Sequence, residues 1–342
     1  MVLAAFRVLN APEDKLPQEA VTVLCEGPPR ALFVFDPKTA GELLRSPLLV
    51  PTSAQRYYEA VSGLDRNDFP VLSEAFERTP LSLSGSAHRD ARARVTPIYR
   101  RVEAEIDGWI DDFCTEYLDD VRSRTSPDIV RAASDFSDRV GRAMAAADLG
   151  IRWQDLPPIP NEIFVMFPSA GRIRDIEAKF TTIRDRVLSR LLEQGRDEED
   201  FWPILILMMM NRDSLQGTVM HMYMHLQNGT AAGSANECAS AAANVSLLQC
   251  RHVMEDSEIA GRKWHAGELV YIAPYLLHRR DPPPQGTDFT FGTGPHVCPG
   301  RKLSLRILDA LIAALRREPL PEGFFPRISK FHRQLVLMAN KK

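Results

Sequence analysis

The sequence has no hydrophobic run of the length that a membrane-spanning helix needs. Its apolar run at residues 204–210 is seven residues long, whereas about 20 are required to cross a bilayer. The apolar stretch at residues 1–7 is too short for a signal peptide and is followed at once by the polar residues 10–15. These absences predict a cytoplasmic protein that makes no use of a membrane.

The sequence also has few cysteines and only a small excess of negative charge. The chain has 342 residues, a formal net charge of −3 and five cysteines. The cysteines are dispersed along the sequence: Cys25, Cys114, Cys238, Cys250 and Cys298. An odd, dispersed set without metal-type spacing argues against a disulfide framework and fits a reducing compartment. The near-neutral charge gives no reason to expect nucleic-acid binding.

The remaining composition is that of an ordinary globular protein. Hydrophobic residues make up 44% and charged residues 25% of the chain, which is close to the average for soluble domains. The length is enough for one large domain or two smaller ones. Because no internal repeat or low-complexity linker interrupts the sequence, we expect a single domain over residues 1–342.

Local patterns predict a mostly helical chain with small β-sheets. Two β-type runs, residues 20–25 and 31–35, flank Gly27-Pro28-Pro29 and predict a hairpin. A short helix is expected after Asp36, and longer ones follow where apolar residues recur at helical spacing. These longer segments cover residues 106–121, 129–150, 171–194 and 201–226. Residues 46–80 show no pattern that predicts an element.

One ten-residue stretch near the end stands out from the rest. Residues 291–300 read Phe-Gly-Thr-Gly-Pro-His-Val-Cys-Pro-Gly and run directly into a helical pattern. Glycines allow a tight loop and a close approach to a bulky partner. Amide groups at the start of a helix, together with the helix dipole, favour a thiolate at Cys298. A single thiolate in such a loop suits an iron ligand better than a disulfide.

This stretch resembles the haem-binding loop of the cytochrome P450 family, with the pattern F-x-x-G-x-x-x-C-x-G. Phe291, Gly294, Cys298 and Gly300 fill its fixed positions, and His296 is a common addition. The resemblance implies an abbreviated cytochrome P450-like fold that holds haem b (iron protoporphyrin IX). It makes Cys298 the metal ligand, and it assigns Phe291, Gly292, His296 and Gly300 to cofactor binding. A buried cysteine in an ordinary glycine turn is the alternative.

The same resemblance identifies basic residues that would hold the haem propionates. His88 and Arg92 are four residues apart on one helix face and match the family's H-x-x-x-R. Arg251 falls where the family places another propionate-binding arginine, and His296 would join them. Buried carboxylates need such charge-assisted partners. The alternatives are a solvated basic helix face for the first pair and a surface strand for Arg251.

The long apolar helix at residues 201–226 would cross the haem in a family member. The family pattern A-G-x-[DE]-T would read Met210-Asn211-Arg212-Asp213-Ser214 here. Asp213 and Ser214 keep an acid and an alcohol and become the expected catalytic, proton-passing pair. Asn211 replaces the glycine that normally leaves space for dioxygen. An exposed polar patch is the alternative for these residues.

Other segments depart from the family pattern. The motif E-x-x-R aligns with Glu237-Cys238-Ala239-Ser240, so that Ser240 stands in place of the arginine. By resemblance, the loop at residues 157–168 would lie over the distal pocket, and residues 245–282 would follow the family's strand order. The stretch between Asp281 and Phe291 is shorter than the family's usual meander.

The function implied by the resemblance is a haem-thiolate monooxygenase that oxidises a small organic substrate with dioxygen in secondary metabolism. With no flavin or iron–sulfur motif in this chain, electrons would come from a separate ferredoxin and ferredoxin reductase. The donor could dock on a group of basic residues: Arg92, Arg100, Arg101, Arg301 and Arg306. Two alternatives stay open. One is a haem-thiolate enzyme that does not activate dioxygen (a peroxygenase, isomerase or dehydratase), in which Arg212 could hold an acidic substrate. The other is a non-catalytic haem-binding homologue.

Overall fold

A computed structural model describes residues 17, 19–125, 128–160, 169–227, 234–241, 249–274, 277 and 289–321. The fold is mainly helical with small β-sheets, as the sequence predicts. The helices are α1 Pro37–Arg45, α2 Ala54–Ser62, α3 Pro70–Arg78, α4 Gly85–Glu105, α5 Ile110–Arg122, α6 Ile129–Leu149, α7 Ala170–Glu193, α8 Phe201–Gln227, α9 Ala235–Ala241 and α10 Arg301–Arg317. The strands are β1 Val21–Cys25, β2 Ala31–Val34, β3 Leu49–Pro51, β4 Gln249–Val253, β5 Ser257–Ile259, β6 Arg262–Trp264 and β7 Leu269–Ile272.

Two sheets join distant parts of the sequence. The larger sheet has the strand order β1-β2-β7-β4-β3, and β5 pairs only with β6. The predicted N-terminal hairpin is confirmed, since β1 and β2 pair antiparallel. β2 then runs parallel to β7, with Ala31 opposite Leu269 and Val34 opposite Ile272. The sheet therefore fixes the start of the chain against the strands that precede the cysteine loop.

The helical core is built around α8. Its apolar run Ile204, Leu205, Ile206 and Leu207 is at most 2% exposed, as expected for a helix that is hydrophobic on every side. Its most extensive neighbour is α6. The two helices approach closely at Gly141, where an added Cβ would lie 3.3 Å from the Met208 carbonyl oxygen. This packing fixes the position of α8 and of the polar residues that it carries.

The segment that gave no sequence pattern, residues 46–80, contains β3, α2 and α3. Helix α3 begins at Pro70, and its N-cap Phe69 supplies no side-chain cap. Instead, the buried carboxylate of Glu177 in α7 accepts hydrogen bonds from the Val71 and Leu72 amides, both at 2.9 Å. A distant acid therefore satisfies the free amides of this helix and favours its dipole.

Replacing Glu177 with glutamine is expected to lower the free energy of unfolding by about 1–3 kcal/mol, because a charge-assisted pair of hydrogen bonds becomes a neutral one. Denaturant unfolding of the purified protein measures the change. The matched control is Glu193→Gln, which removes an exposed carboxylate from the same helix and should alter stability by less than about 0.5 kcal/mol. Equal effects of the two substitutions would contradict the capping role.

Candidate cofactor site around Cys298

The cysteine loop is a tight turn pressed against α1. Gly292 and Gly294 have φ angles of 73° and 67°, a region that favours glycine. A Cβ on Gly294 would lie 2.8 Å from the Leu44 carbonyl oxygen, so this glycine also permits the close approach to α1. The Cys298 amide donates to the Phe291 carbonyl at 2.6 Å. The ten-residue stretch therefore forms the loop that its glycines predict, and α10 begins directly after it.

The electrostatics of Cys298 differ from the sequence-based expectation. Burial raises the pKa of the thiol above its ordinary value, and this effect outweighs the Gly300 amide and the Arg92 guanidinium, which act in the opposite direction. Burial therefore favours the thiol in the protein alone, whereas the Gly300 amide acts in the direction that the sequence predicts. A metal cation at the sulfur would supply the charge that ionises it.

Helix α4 brings two predicted residues onto this loop. Arg92 Nη1 donates to the Val297 carbonyl at 2.5 Å and lies 3.5 Å from the Pro295 carbonyl oxygen. The ring of His88 lies against that of His296, with 4.2 Å between the ring centroids. The sequence spacing correctly placed both residues on one helix face, and that face contacts the loop. The alternative of a solvated basic face is thus wrong for His88, which is buried.

Arg251 adds a further buried cation from β4. It donates to the Cys250 carbonyl at 3.1 Å and to Gln249 Oε1 at 3.3 Å. Burial lowers the pKa of Arg251 to about 10. Burial, followed by the charges of Arg251, His88 and Arg92, lowers the pKa of His296 to about 3. Arg251 therefore lies close enough to the loop to act on His296, and it is not an exposed strand residue.

These basic groups converge without an acid. Within the described ranges, no carboxylate forms an ion pair with Arg92 or Arg251. His88 Nε2 and His296 Nδ1 are buried and have no hydrogen-bond partner in the part of the chain that the structure describes. Buried cations and unsatisfied donors are costly unless paired. The donor set therefore fits a cofactor that brings a metal to Cys298 and carboxylates to the histidines and arginines, as a haem with its two propionates would.

The protonation of His88 makes the stability of the haem-free protein depend on pH. Burial, followed by the charges of Arg92 and Arg89, lowers the pKa of His88. The unfolded chain then binds a proton that the folded protein does not, so stability is complete above the unfolded pKa of about 6.5 and declines as the pH falls below it.

We expect His88→Gln to flatten this decline by up to about 1.4 kcal/mol per pH unit. The measurement is urea unfolding of the haem-free protein at several values between pH 5 and pH 8. A slope that is the same with and without His88 would contradict the expectation.

The proposed distal residues lie on α8 and do not contact the loop through any described hydrogen bond. Ser214 is exposed, and its hydroxyl donates to the Met210 carbonyl at 2.8 Å. Asn211 is 7% exposed, and its Nδ2 donates to the Leu207 carbonyl at 2.7 Å. The backbone of Asp213 is helical, while its side chain lies outside the described residues. The exposed-patch alternative is wrong for Asn211, which is buried.

The suggestion that Arg212 could hold an acidic substrate is wrong. Arg212 is 2% exposed and points away toward α6. Its guanidinium donates to the Ser134 carbonyl at 2.8 Å, to the Ser134 hydroxyl at 2.7 Å and to the Ser137 hydroxyl. Arg212 therefore links the two central helices and is unavailable to a ligand beside Ser214.

The side chain of Glu237 caps the start of its own helix, α9. Its carboxylate accepts from the Ser234 amide at 2.6 Å, and the Glu237 amide donates to the Ser234 hydroxyl at 3.3 Å. This is a capping box at the start of α9. Glu237 is exposed, so it does not act as the buried acid of an E-x-x-R pair. The side chain of Ser240 is outside the described residues, as are residues 161–168, 245–248 and 278–282.

The suggested docking arginines have different environments. Arg92 is engaged by the loop carbonyls. Arg101 pairs with Asp148, and Arg306 pairs with Asp107 and Asp111. The Arg301 guanidinium lies 5.6 Å from the centroid of the Phe291 ring. Arg100 is exposed and has no ion-pair partner among the described residues. Neighbouring acids therefore neutralise part of this surface.

Sequence reasoning missed Tyr99, which packs beside the loop. A Cβ on Gly300 would lie 2.6 Å from Tyr99 Cε1. Burial raises the pKa of Tyr99, and the negative charge of an ionised Cys298 adds to the rise. Tyr99 lies seven residues after Arg92 and eleven after His88, on the same helix face. The helical spacing indicated that Tyr99 shares a face with His88 and Arg92. It could not indicate that the partner of Tyr99 is Gly300, two hundred residues later in the chain.

The structure has no helix among its described residues that could cross a membrane. The same part of the chain contains no cluster of three or more histidine, cysteine or acidic side chains suited to a metal ion.

Comparison with known proteins connects this architecture to one family. No family model matches the chain. A curated relative, the cytochrome P450 monooxygenase ltmJ of Epichloe festucae var. lolii, is 22% identical over 222 residues. The match covers 59% of this chain and 39% of that protein, so the chain corresponds to well under half of the relative.

Solved structures match over more of the chain. P450 StaH from glycopeptide antibiotic A47934 biosynthesis superposes with a TM-score of 0.63 at 17% identity, covering 90% of this chain and 89% of that one. The tirandamycin C-bound P450 monooxygenase TamI gives a TM-score of 0.61 at 16% identity, with coverages of 88% and 84%. The Tepidiphilus thermophilus P450 heme domain gives 0.60 at 15% identity, with coverages of 84% and 81%.

Proposed function

This chain has the cytochrome P450 fold and is related in sequence to a cytochrome P450 monooxygenase, and from that premise we propose that it is a haem-thiolate monooxygenase. It would bind haem b through Cys298 and oxidise a small organic molecule in secondary metabolism. We propose further that residues 1–342 form one haem domain. The observation that carries the proposal is the convergence of His88, Arg92 and Arg251 on His296 in the cysteine loop, with no carboxylate paired to the two arginines among the described residues.

The proposed haem contacts follow from the chemistry of these side chains. Cys298 would donate its sulfur to the iron, and the four basic residues would pair with the propionates through charge-assisted hydrogen bonds. A thiolate-ligated haem supplies oxidising power, because the sulfur pushes electron density toward the iron and favours O–O cleavage. The protein would provide the pocket, the protons and the path for electrons.

Ser214 would handle protons on the far side of the cofactor. Its hydroxyl donates a hydrogen bond to the Met210 carbonyl, and the lone pairs of Oγ can accept a second hydrogen bond from water. In a relay Oγ would release its own proton inward and accept a replacement proton on a lone pair, and because the side chain is exposed, solvent can reprotonate the donor of that replacement. Asp213, one residue earlier on α8, is the proposed acid that supplies this proton.

Asn211 gives specific support to a second function, a haem-thiolate enzyme that uses peroxide or no oxidant. Its amide is buried and folded onto the helix backbone, where the family pattern leaves the open space of a glycine. Oxygen-dependent turnover with an electron donor selects the monooxygenase. Turnover with peroxide alone, or a redox-neutral reaction, selects the second function.

The proposed electron donor is an acidic ferredoxin, reduced by a ferredoxin reductase. Arg100 is the basic residue best placed to meet it, since it is exposed and carries no ion pair within the described ranges, whereas Arg101 and Arg306 are paired.

We also infer a cytoplasmic location. Four described cysteines, Cys25, Cys114, Cys250 and Cys298, are free thiols, which suits a reducing compartment.

The absorption spectrum of the reduced protein with carbon monoxide tests the proposal. We expect a strongly red-shifted Soret band for the native chain and an ordinary Soret position for Cys298→Ser. Cys25→Ser removes a half-buried thiol from β1 and should keep the native spectrum. Failure of the native chain to bind haem would overturn the proposal. An ordinary Soret position in the native chain would favour a non-catalytic haem-binding protein.

A further inference from the structure

Gly300 has a conformation that does not require glycine. It is the N-cap of α10, with φ −90° and ψ 13°, and residues with side chains adopt this region. Gly292 and Gly294 are different, because their positive φ angles strain any other residue. Some other constraint must therefore exclude a side chain at position 300.

The constraint is the ring of Tyr99. A Cβ built on Gly300 would lie 2.6 Å from Tyr99 Cε1, 3.3 Å from Cδ1 and 3.6 Å from Cζ, and these are its three nearest neighbours. The first distance is well inside van der Waals contact. The phenol ring consequently lies directly against the Gly300 backbone, two residues after the proposed iron ligand.

The ring has little freedom to move away. Tyr99 is 6% exposed and belongs to the main hydrophobic cluster, where close packing makes displacement of a side chain unfavourable. On the same face of α4, His88 and Arg92 contact the other side of the loop through His296 and Val297. One helix face thus holds the loop on both sides of Cys298.

Gly300 also acts on the sulfur: a hydrogen bond from its backbone amide opposes the burial that raises the pKa of Cys298, and Gly300 is held as the N-cap of α10 two residues after the cysteine. A ring that fixes the Gly300 backbone fixes the direction of this amide. Hydrogen bonds to a metal-bound sulfur tune how strongly it donates electrons.

We propose that Tyr99 is a positioning residue, whose ring sets the direction of the Gly300 amide and thereby the electron donation of Cys298. This inference rests on the proposed haem ligation. The aromatic ring, and not the hydroxyl, would position the amide. Tyr99→Phe should therefore retain the native reduction potential, and Tyr99→Leu should change it.

A double-mutant cycle tests the proposal. The variants are Gly300→Ala, Tyr99→Leu and their combination, and the readouts are the reduction potential and the fraction of red-shifted carbon monoxide complex. We expect Gly300→Ala to reduce that fraction at least fivefold in the native background. In the Tyr99→Leu background, where space is open, the same change should reduce it less than twofold. Tyr99→Phe should match the native chain in both readouts.

Gly292→Ala is the matched control from the same loop. An added Cβ there would meet the His296 carbonyl oxygen at 2.9 Å, so Tyr99→Leu should not relieve its defect. The proposal is overturned if Gly300→Ala is harmless, if Tyr99→Leu fails to relieve it, or if both glycine variants are relieved equally. It is also overturned if the potential of Tyr99→Leu equals that of the native chain.

The outcome can be separated from failure of the proposed function. If the native chain binds no haem, the proposed function fails. The cycle is then measured on the haem-free protein, through its unfolding free energy and the alkylation rate of Cys298. If the effects of the substitutions at positions 99 and 300 are non-additive in both measurements, the inference that Tyr99 positions Cys298 stands. Additive effects would overturn it.

Discussion

Replacing Arg251 with methionine is expected to change two properties in opposite directions. Haem affinity should fall by about 10- to 100-fold, because one charge-assisted hydrogen bond to a propionate contributes about 1.5–3 kcal/mol. The haem-free protein should become more stable by about 1–3 kcal/mol, since a buried cation without an acid partner is replaced by an apolar chain of similar length.

The structural basis is the environment of Arg251. It is 8% exposed, its described hydrogen bonds go to neutral oxygens, and burial lowers its pKa. Haem transfer to apomyoglobin measures affinity, and denaturant unfolding of the haem-free protein measures stability. Arg262, on the neighbouring hairpin, forms no ion pair among the described residues and lies 5.6 Å from the centroid of the Trp264 ring, and Arg262→Met serves as the control with neither effect. A fall in both properties of Arg251→Met would show that Arg251 is structural.

Replacing Asp148 with alanine is expected to lower the free energy of unfolding by about 2–4 kcal/mol. Its side chain is fully buried, and it bridges two arginines from different parts of the chain. Asp148 Oδ1 lies 2.6 Å from Arg101 Nη2, and Oδ2 lies 3.1 Å from Arg196 Nη2. Removing one partner of a buried pair costs about 3–5 kcal/mol, and we reduce this value because Arg101 is half exposed and screened by solvent.

The control for Asp148 is Asp119→Ala, which breaks an exposed pair with Arg122 and should cost less than about 1 kcal/mol. A second variant identifies the cause. In an Arg196→Met background, Asp148→Ala should be less costly, because one of the two stranded charges is already gone. An unchanged cost in that background would show that Asp148 acts through its volume and not its charge.

The sequence predicted the elements whose patterns are local. Apolar periodicity located α8 and α10, and the Gly-Pro-Pro turn located the first hairpin. The resemblance also predicted the fold class, and the four-residue spacing predicted that His88 and Arg92 share a helix face. Their contact with the cysteine loop was not predicted.

Contacts between distant segments could not be predicted in this way. Periodicity placed Arg212 on α8, but its direction depends on Ser134 and Ser137 in α6. The cap of α3 comes from Glu177, more than one hundred residues later. Glu237 is a different case, because Ser234 three residues before it is the local signature of a capping box. The likeness to E-x-x-R led us to overlook that signal.

The parallel pairing of β2 with β7 also has a consequence for synthesis. Residues 31–34 leave the ribosome long before their partners at 269–272. At about 5–20 residues per second, the edge of β2 that later pairs with β7 stays unpaired for on the order of 10–50 s. During this time an unpaired strand edge can join another nascent chain. Recovery of soluble protein should therefore improve when fewer chains are made at once, at low inducer concentration, even though β2 and β7 are buried in the finished sheet.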